Sequence, residues 1–290
     1  MAKVTVGMPV YNAAACLGCT LAAMSAQTYS DMQVVVSDNA STDDTAKIVQ
    51  EWAAKDPRII YRRQPENIGA MANFSWLIRN ATSPWFMFAA HDDLWSPNYV
   101  DELVRAAEAT PGMLLSVPRV KLVTPAGLET ADYPFHESLA GATGLWRIFL
   151  LFRHVRSGWH YALYNQEAQL AAWEAVGRFG HAWGNDFIML LPFILSGKIT
   201  GSNDAVFRQC VTDASVKRYK PKTLKDQARI LADFLRESLR LLALAPIPCW
   251  QKIILLPRVV YYASERSWRI TRLIRHGVKA LFRRGSQSGD

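Results

Sequence analysis

The residues best suited to chemistry follow short apolar runs. Phe88-Ala89-Ala90 leads directly into His91-Asp92-Asp93. Two adjacent acids after an apolar strand suit a hard divalent cation, because Mg2+ or Mn2+ prefers carboxylate oxygen and bridges it to a bound diphosphate. The same acids suit a helix cap, since Ser96-Pro97 opens a helical stretch shortly afterwards. The triplet alone leaves both readings open. Two other runs end in Pro9-Val10-Tyr11-Asn12 and Ser37-Asp38-Asn39-Ala40-Ser41-Thr42-Asp43. An aspartate at a strand end can accept the N–H of a pyrimidine imide or of guanine, and an aromatic such as Tyr11 can face a base. Each segment is equally an ordinary turn.

The elements that must carry these residues alternate. Residues 4–10, 32–37, 58–62 and 85–90 are short apolar runs, each followed by a longer stretch of helical character. Ser41-Thr42 leads into Asp43-Asp44, and Ser96-Pro97 into residues 98–109 with Asp101 and Glu102 early, as helix starts require. This rhythm predicts an α/β fold with a parallel sheet covered by helices, and ligands at the carboxyl ends of its strands. Beyond residue 125 an aromatic and glycine-rich region (133–184) follows, with a further strand predicted at 159–165. Residues 222–244 and 250–284 read as helical, with Pro246 and Pro248 between them.

Half of the 290 residues are hydrophobic and 20% are charged, which suits one large core with a smaller appendage and excludes a disordered chain. Cys16, Cys19, Cys210 and Cys249 are too few for a disulfide framework, and Cys16-x-x-Cys19 lacks the second pair of a zinc site. A reduced cytoplasmic setting is expected, with Cys16 and Cys19 as small apolar residues on a helix. No secretory signal is expected, and residues 247–263, interrupted by Gln251, Lys252 and Arg258, do not read as a membrane span. Of the net charge of +8, residues 258–290 hold +6, from eight basic residues against Glu265 and Asp290. Ile270, Leu273, Ile274, Val278 and Leu281 share one helical face there, with arginines on the rest and Trp268 and Phe282 at the flanks. Such a helix fits an anionic bilayer surface; it also fits packing on the catalytic domain or on a second subunit, leaving a homo-oligomer open. No nucleic-acid module accompanies it, so no nucleic-acid partner is expected.

Taken in order, PVYN, QTYSDMQVVVSDNASTDDT, RRQPENIGAMAN and AAHDDLWSP closely resemble glycosyltransferase family 2, over roughly residues 3–205. The resemblance implies a GT-A fold: a Rossmann-like, mostly parallel sheet flanked by helices. It implies a domain at 1–205, with a nucleotide-sugar half at about 1–125 and an acceptor half at about 126–205. Residues 206–290 then form a helical C-terminal region. It further implies transfer of a sugar from a UDP-, dTDP- or GDP-linked donor with inversion, assisted by Mn2+ or Mg2+. Carried over residue by residue, it puts Pro9, Tyr11, Asn12 and Asp38 at the base, and Arg62 or Arg63, Asn67 and Gly69 near the donor nucleotide. Asp93 becomes the metal ligand and Asp92 its neighbour toward the ribose or sugar. His91 stands where many members carry the first acid of Asp-x-Asp. Asp186 is the expected catalytic base, with Asn185 in place of a preceding Glu; a helix-capping aspartate is the other reading of Asp186. His181 is a further candidate for the metal or diphosphate, and Trp159, Tyr161, Trp183 and Asn185 are candidates for the acceptor side.

Neither the Gln-x-x-Arg-Trp sequence nor the transmembrane helices of the processive synthases occur. The resemblance therefore favours a single-addition enzyme of the bacterial, rhamnosyltransferase-like branch that builds surface polysaccharide. Its acceptor would be a glycan or a polyprenyl diphosphate-linked glycan, and its place cytoplasmic, peripheral at the inner face of the cell membrane. Two other readings are a catalytically silent nucleotide-binding partner and a sugar nucleotidylyltransferase, although the latter's Gly-rich N-terminal loop is absent.

Overall fold

The computed structural model describes residues 2–177, 179–211 and 220–267. The chain divides into two compact units, neither of them one continuous stretch. The first comprises Met1–Ala142, His154–Glu174 and Lys198–Thr212; the second comprises Thr143–Arg153, Ala175–Gly197 and Asp213–Asp290.

The first unit is built on a nine-stranded sheet. Strands β1 (Val4–Val10), β2 (Met32–Asp38), β3 (Ile59–Arg63) and β4 (Trp85–Phe88) run parallel in the order β3-β2-β1-β4. Their apolar character follows from this position, because a parallel sheet covered by helices buries both faces of a strand. Val4, Val6, Met8, Val36, Phe86 and Phe88 are all fully enclosed. Helices α1 (Leu17–Ser25), α2 (Thr45–Ala53) and α3 (Ala70–Asn80) follow β1, β2 and β3 in turn. Along α1, Leu17, Thr20, Leu21 and Met24 face inward while Cys19 is exposed.

After β4 the sheet changes direction. The two-residue strand β5 (Leu94–Trp95) precedes α4 (Tyr99–Ala109), β6 (Leu115–Val123) and β7 (Glu129–Tyr133). Strand β8 (Leu163–Asn165) runs antiparallel between β4 and β6, and β9 (Ile199–Cys210) lies parallel to β6. β5 pairs antiparallel with β9. Only the last part of the strand predicted at 159–165 is strand. Ser157–Tyr161 forms a 3-10 turn, which turns Trp159 and His160 into the core. His160 stacks on Phe88 at 5.6 Å. The expected domain boundary at residue 205 falls inside β9.

The second unit is helical: α5 (Gly144–His154) apart from its last residue, α7 (Asn185–Ser196), α8 (Leu224–Leu244) and α9 (Cys249–Arg266); α6 (Gln166–Val176) begins in the first unit. Phe152, Phe179, Phe234 and Tyr262 make edge and tilted ring contacts of 5.2 to 6.0 Å. Gly184 precedes α7 at φ +83°, where a side chain would also press on the Phe234 ring. The C-terminal helices expected from the sequence are thus present to Arg266. The basic amphipathic stretch from Trp268 onward lies outside the described residues.

Candidate donor site at the carboxyl ends of the strands

The loops after β1 and β2 are stitched together by side chains. The Asn12 amide donates to Ser41 Oγ at 2.9 Å, and the Thr42 amide donates to Asn12 Oδ1 at 2.9 Å. Ala13 N donates to Thr45 Oγ1 and Ala14 N to Asp43 Oδ2. Among the described residues the non-glycine positive φ values are those of Asn12 (47°) and Ala40 (59°), both in these loops. Left-handed backbone costs a β-carbon-bearing residue about 1 kcal/mol, and such strain gathers where function demands a fixed loop. Pro9 leads into this turn in register with Ser37, and the Tyr11 ring is 46% exposed, open to a planar partner.

Asp38 closes β2 and is 0% exposed. Its Oδ1 accepts the Ser41 amide at 2.8 Å, and its Oδ2 accepts Tyr61 Oη and Arg63 Nη1, each at 2.7 Å. The β2–β3 register makes this possible by setting Asp38 opposite Arg63. Burial and the bond to Asp38 push the Tyr61 phenol up from its ordinary value. A base bonding to Asp38 must therefore share a carboxylate that already accepts Ser41, Tyr61 and Arg63. Arg63 also donates to the Ser41 carbonyl at 2.9 Å, while exposed Arg62 bonds the neighbouring Tyr61 carbonyl at 3.2 Å. Of the two arginines, Arg63 is thus the one held at Asp38.

The following loop is fixed to the same place. Asn39 Nδ2 donates to Asn67 Oδ1 at 2.9 Å, and Asn39 Oδ1 accepts the Ile68 amide at 2.9 Å. Asn67 Oδ1 also accepts the Gly69 amide, and Gly69, at φ +83°, starts α3 in a conformation that favours glycine. Beneath it, buried Asn73 and Gln64 bond the Ser37 hydroxyl and carbonyl at 2.6 to 3.0 Å. Sequence reasoning gave Tyr61, Asn39, Gln64 and Asn73 no individual role. Each lies inside a strand or motif that was read for other residues.

His91-Asp92-Asp93 occupies the turn between β4 and β5. Thr20 Oγ1 of α1 donates to the His91 carbonyl at 2.8 Å. Asp93 is 4% exposed and its Oδ1 accepts the Cys210 amide at 2.7 Å, where β5 meets β9; Asp92 is exposed. The helix-cap reading fails here. α4 begins after Asn98, its first-turn acids are Asp101 and Glu102, and β5 intervenes. Burial raises the thiols of Cys16 and Cys210, and the carboxylates of Asp92 and of Asp93 with Asp92, respectively, add to it. These thiols stay protonated and uncharged at neutral pH. One carboxylate locked by a backbone N–H beside one open to solvent is a donor set that fits a hard cation. Among the described residues no three His, Cys, Asp or Glu side chains gather to enclose a metal, so the remaining ligands would be diphosphate oxygens and water.

Of the other expected site residues, Trp159 and Tyr161 belong to the first unit and His181, Trp183, Asn185 and Asp186 to the second. Trp159 is corrected: at 1% exposure, packed against Phe135, it offers no face to a sugar. Tyr161 packs on Phe207 at 5.2 Å. In the second unit His181 Nε2 is bonded to Asp233 Oδ2 at 2.9 Å, which holds the Asp233 carboxyl below its ordinary value and gives His181 a structural partner. Trp183 Nε1 donates to the Ser267 carbonyl at 2.6 Å. Asn185 is buried, and Asp186 stands part-exposed in the first turn of α7, where it also favours the helix dipole.

The sequence model described as Glycosyl transferase family 2 matches residues 5–164, more than half of the chain. Glycosyltransferase GlyA of Streptococcus pneumoniae is 34% identical over 103 residues, covering 36% of this chain and 15% of that protein. A glycosyltransferase of Rickettsia typhi is 30% identical over 101 residues, covering 35% of this chain and 30% of its own length. The matched part thus spans less than a third of these curated relatives. Among solved structures, S. aureus TarS residues 1–349 in complex with UDP-GlcNAc superposes with a TM-score of 0.67 at 15% identity, covering 91% of this chain and 73% of that one. The mannosyltransferase PcManGT from Pyrobaculum calidifontis, in complex with GDP-Man and Mn2+, gives 0.52 at 19% identity, covering 97% and 80%. The fold is of the GT-A type.

Proposed function

Since the chain belongs to glycosyl transferase family 2, we propose that it moves one sugar from a nucleotide-sugar donor to an acceptor hydroxyl with inversion at the anomeric carbon. The observation that carries this reading is the joined pair of loops after β1 and β2, with Asp38 and Arg63 paired at the strand ends and the anchored Asp92-Asp93 turn following the parallel strand β4 at the same end of the sheet. The base lies against Tyr11 and the Asp38–Arg63 pair, and the Asn67-Ile68-Gly69 loop supports the donor nucleotide. Asp93, with Asp92, would hold Mn2+ or Mg2+, which would offset charge on the donor diphosphate. Two of the structural neighbours carry UDP-GlcNAc and GDP-Man with Mn2+, which supports a donor and metal of these classes.

Asp186 takes the proton of the acceptor hydroxyl. The hydroxyl oxygen forms its bond to the anomeric carbon from the face opposite the leaving group, the bond from that carbon to the diphosphate oxygen breaks, and the nucleoside diphosphate departs. Trp183 and Asn185 border the acceptor. The acceptor is a glycan or a polyprenyl diphosphate-linked glycan of bacterial surface polysaccharide synthesis. Among the described residues no helix is long and apolar enough to cross a membrane, and the enzyme meets such an acceptor as a peripheral protein, through the basic residues 258–290. The test of the base is Asp186→Asn. Donor affinity by titration calorimetry stays within about twofold while turnover falls by roughly a hundredfold or more; near-normal turnover refutes the assignment.

A further inference from the structure

The two faces of α9 are unlike. Leu255, Val259, Tyr262 and Ala263 are buried, with the Tyr262 ring 5.2 Å from Phe152. Trp250, Ile253, Ile254, Leu256, Val260 and Tyr261 are all exposed, Ile253 to 73%. At 3.6 residues per turn these positions and Pro257 fall within one arc of roughly 160°, about 17 Å long from the first to the last. That arc holds no charged side chain; Lys252 borders it on one side and Arg258 on the other, its guanidinium 5.2 Å from the Tyr261 ring. A contiguous apolar surface of this kind is an interaction site in a folded protein.

Charge decides the partner. Residues 268–290, which follow α9 in the sequence, carry Arg269, Arg272, Arg275, Lys279, Arg283 and Arg284 against the single acid Asp290. The α9 of a second copy would present Lys252, Arg258 and Arg266 against Glu265, and so gives that charge no anionic partner. An anionic lipid surface attracts that charge. Its headgroup layer also accommodates long basic side chains at the border of an apolar face and aromatic rings at the depth of Trp250 and Tyr261. We propose that the exposed face of α9 lies in the headgroup and outer acyl layer of an anionic bilayer, held there by the basic charge of the segment that follows. This rests on the peripheral-membrane part of the proposed function and names the surface that inserts.

The test is co-sedimentation of the purified full chain with phosphatidylglycerol vesicles and with phosphatidylcholine vesicles. One comparison is the triple variant Ile253→Ser, Ile254→Ser and Val260→Ser, with Tyr261→Ser alone as a milder second. The other is Arg272→Gln with Arg275→Gln and Lys279→Gln. Circular dichroism verifies that each variant remains helical. The full chain sediments with phosphatidylglycerol and not with phosphatidylcholine, and the triple α9 variant loses binding by about tenfold or more, in keeping with the apolar area removed. Normal vesicle binding by both α9 variants with loss in the arginine variant overturns the insertion face and leaves the charged segment as the attachment. Failure of the full chain to bind either vesicle overturns the membrane reading itself. A dimer by sedimentation velocity that the α9 variant dissociates, with vesicle binding unaltered, overturns it in favour of a second copy.

Discussion

Two aspartate–arginine pairs mark opposite ends of the parallel strands, and they are built differently. At the amino ends, Asp56 accepts Arg58 Nε and Nη2 and the Ser25 hydroxyl at 2.7 to 3.1 Å, while Arg58 also bonds the carbonyls of Ser25, Gln27 and Tyr29. The Arg58 side chain is 22% exposed and the backbone around it is unstrained. At the carboxyl ends, Asp38 is the more deeply buried acid, yet its partner Arg63 is 45% exposed, and the adjoining loops hold Asn12 and Ala40 at positive φ. The first pair is turned inward on carbonyls and ties α1, β2 and β3 together. The second presents a cation and a strained, cross-braced loop to whatever binds there. Burial of the acid alone does not separate the two pairs; the exposure of the arginine does, and on that ground the second is the proposed donor site.

The sharpest separation between the two ends comes from the Asp92-Asp93 turn at the carboxyl side. Asp93→Asn can still accept the Cys210 amide but loses the charge, so metal-stimulated transfer falls on the order of a thousandfold with the fold intact. A fall in melting temperature large enough to explain the loss would move Asp93 to the structural side of the comparison. Arg63→Lys keeps the charge and removes the two-pronged geometry that holds both Asp38 and the Ser41 carbonyl. Donor affinity drops by about tenfold in titration calorimetry, with little change in stability.

The opposite pattern belongs to the amino end. The Arg58 guanidinium holds the Asp56 carboxyl at about 2, below its usual 3.8. A depressed carboxyl stabilises the fold above its unfolded value, and that contribution is lost as the pH falls from about 4 toward 2. It amounts to about 2 kcal/mol at neutral pH. Asp56→Asn loses about that much in denaturant melts at pH 7, flattens the acid limb of the stability curve, and leaves donor affinity unchanged. An affinity change there erases the distinction between the two pairs.

The same contrast explains what the amino-acid order reveals. Strands β1 to β4 were legible because both of their faces are buried, which writes them as apolar runs ending in turn residues. The partners of Asp38 were not legible, because Arg63 and Tyr61 reach it only through the β2–β3 register, 25 and 23 positions away. The His91-Asp92-Asp93 turn taken alone read equally as a helix cap, because the two-residue strand that separates it from α4 is too short to leave a pattern. Trp159 was misjudged because aromatic density does not report orientation, and the 3-10 turn points that ring inward. The unequal faces of α9 were hidden for another reason: apolar residues lie on both, and which of them are covered depends on partners distant in the chain.

The most direct test of the central claim is thermal unfolding of the full chain with UDP-, dTDP- and GDP-sugars, each with and without Mn2+. Ligand that binds the folded state raises the melting temperature, by about 2.7 kcal/mol of added stability at a hundred times its dissociation constant. At least one nucleotide class is expected to stabilise the chain, with a further rise on adding Mn2+ that disappears in Asp93→Asn while the metal-free rise remains. No stabilisation by any nucleotide sugar, or an undiminished Mn2+ increment in Asp93→Asn, contradicts the account.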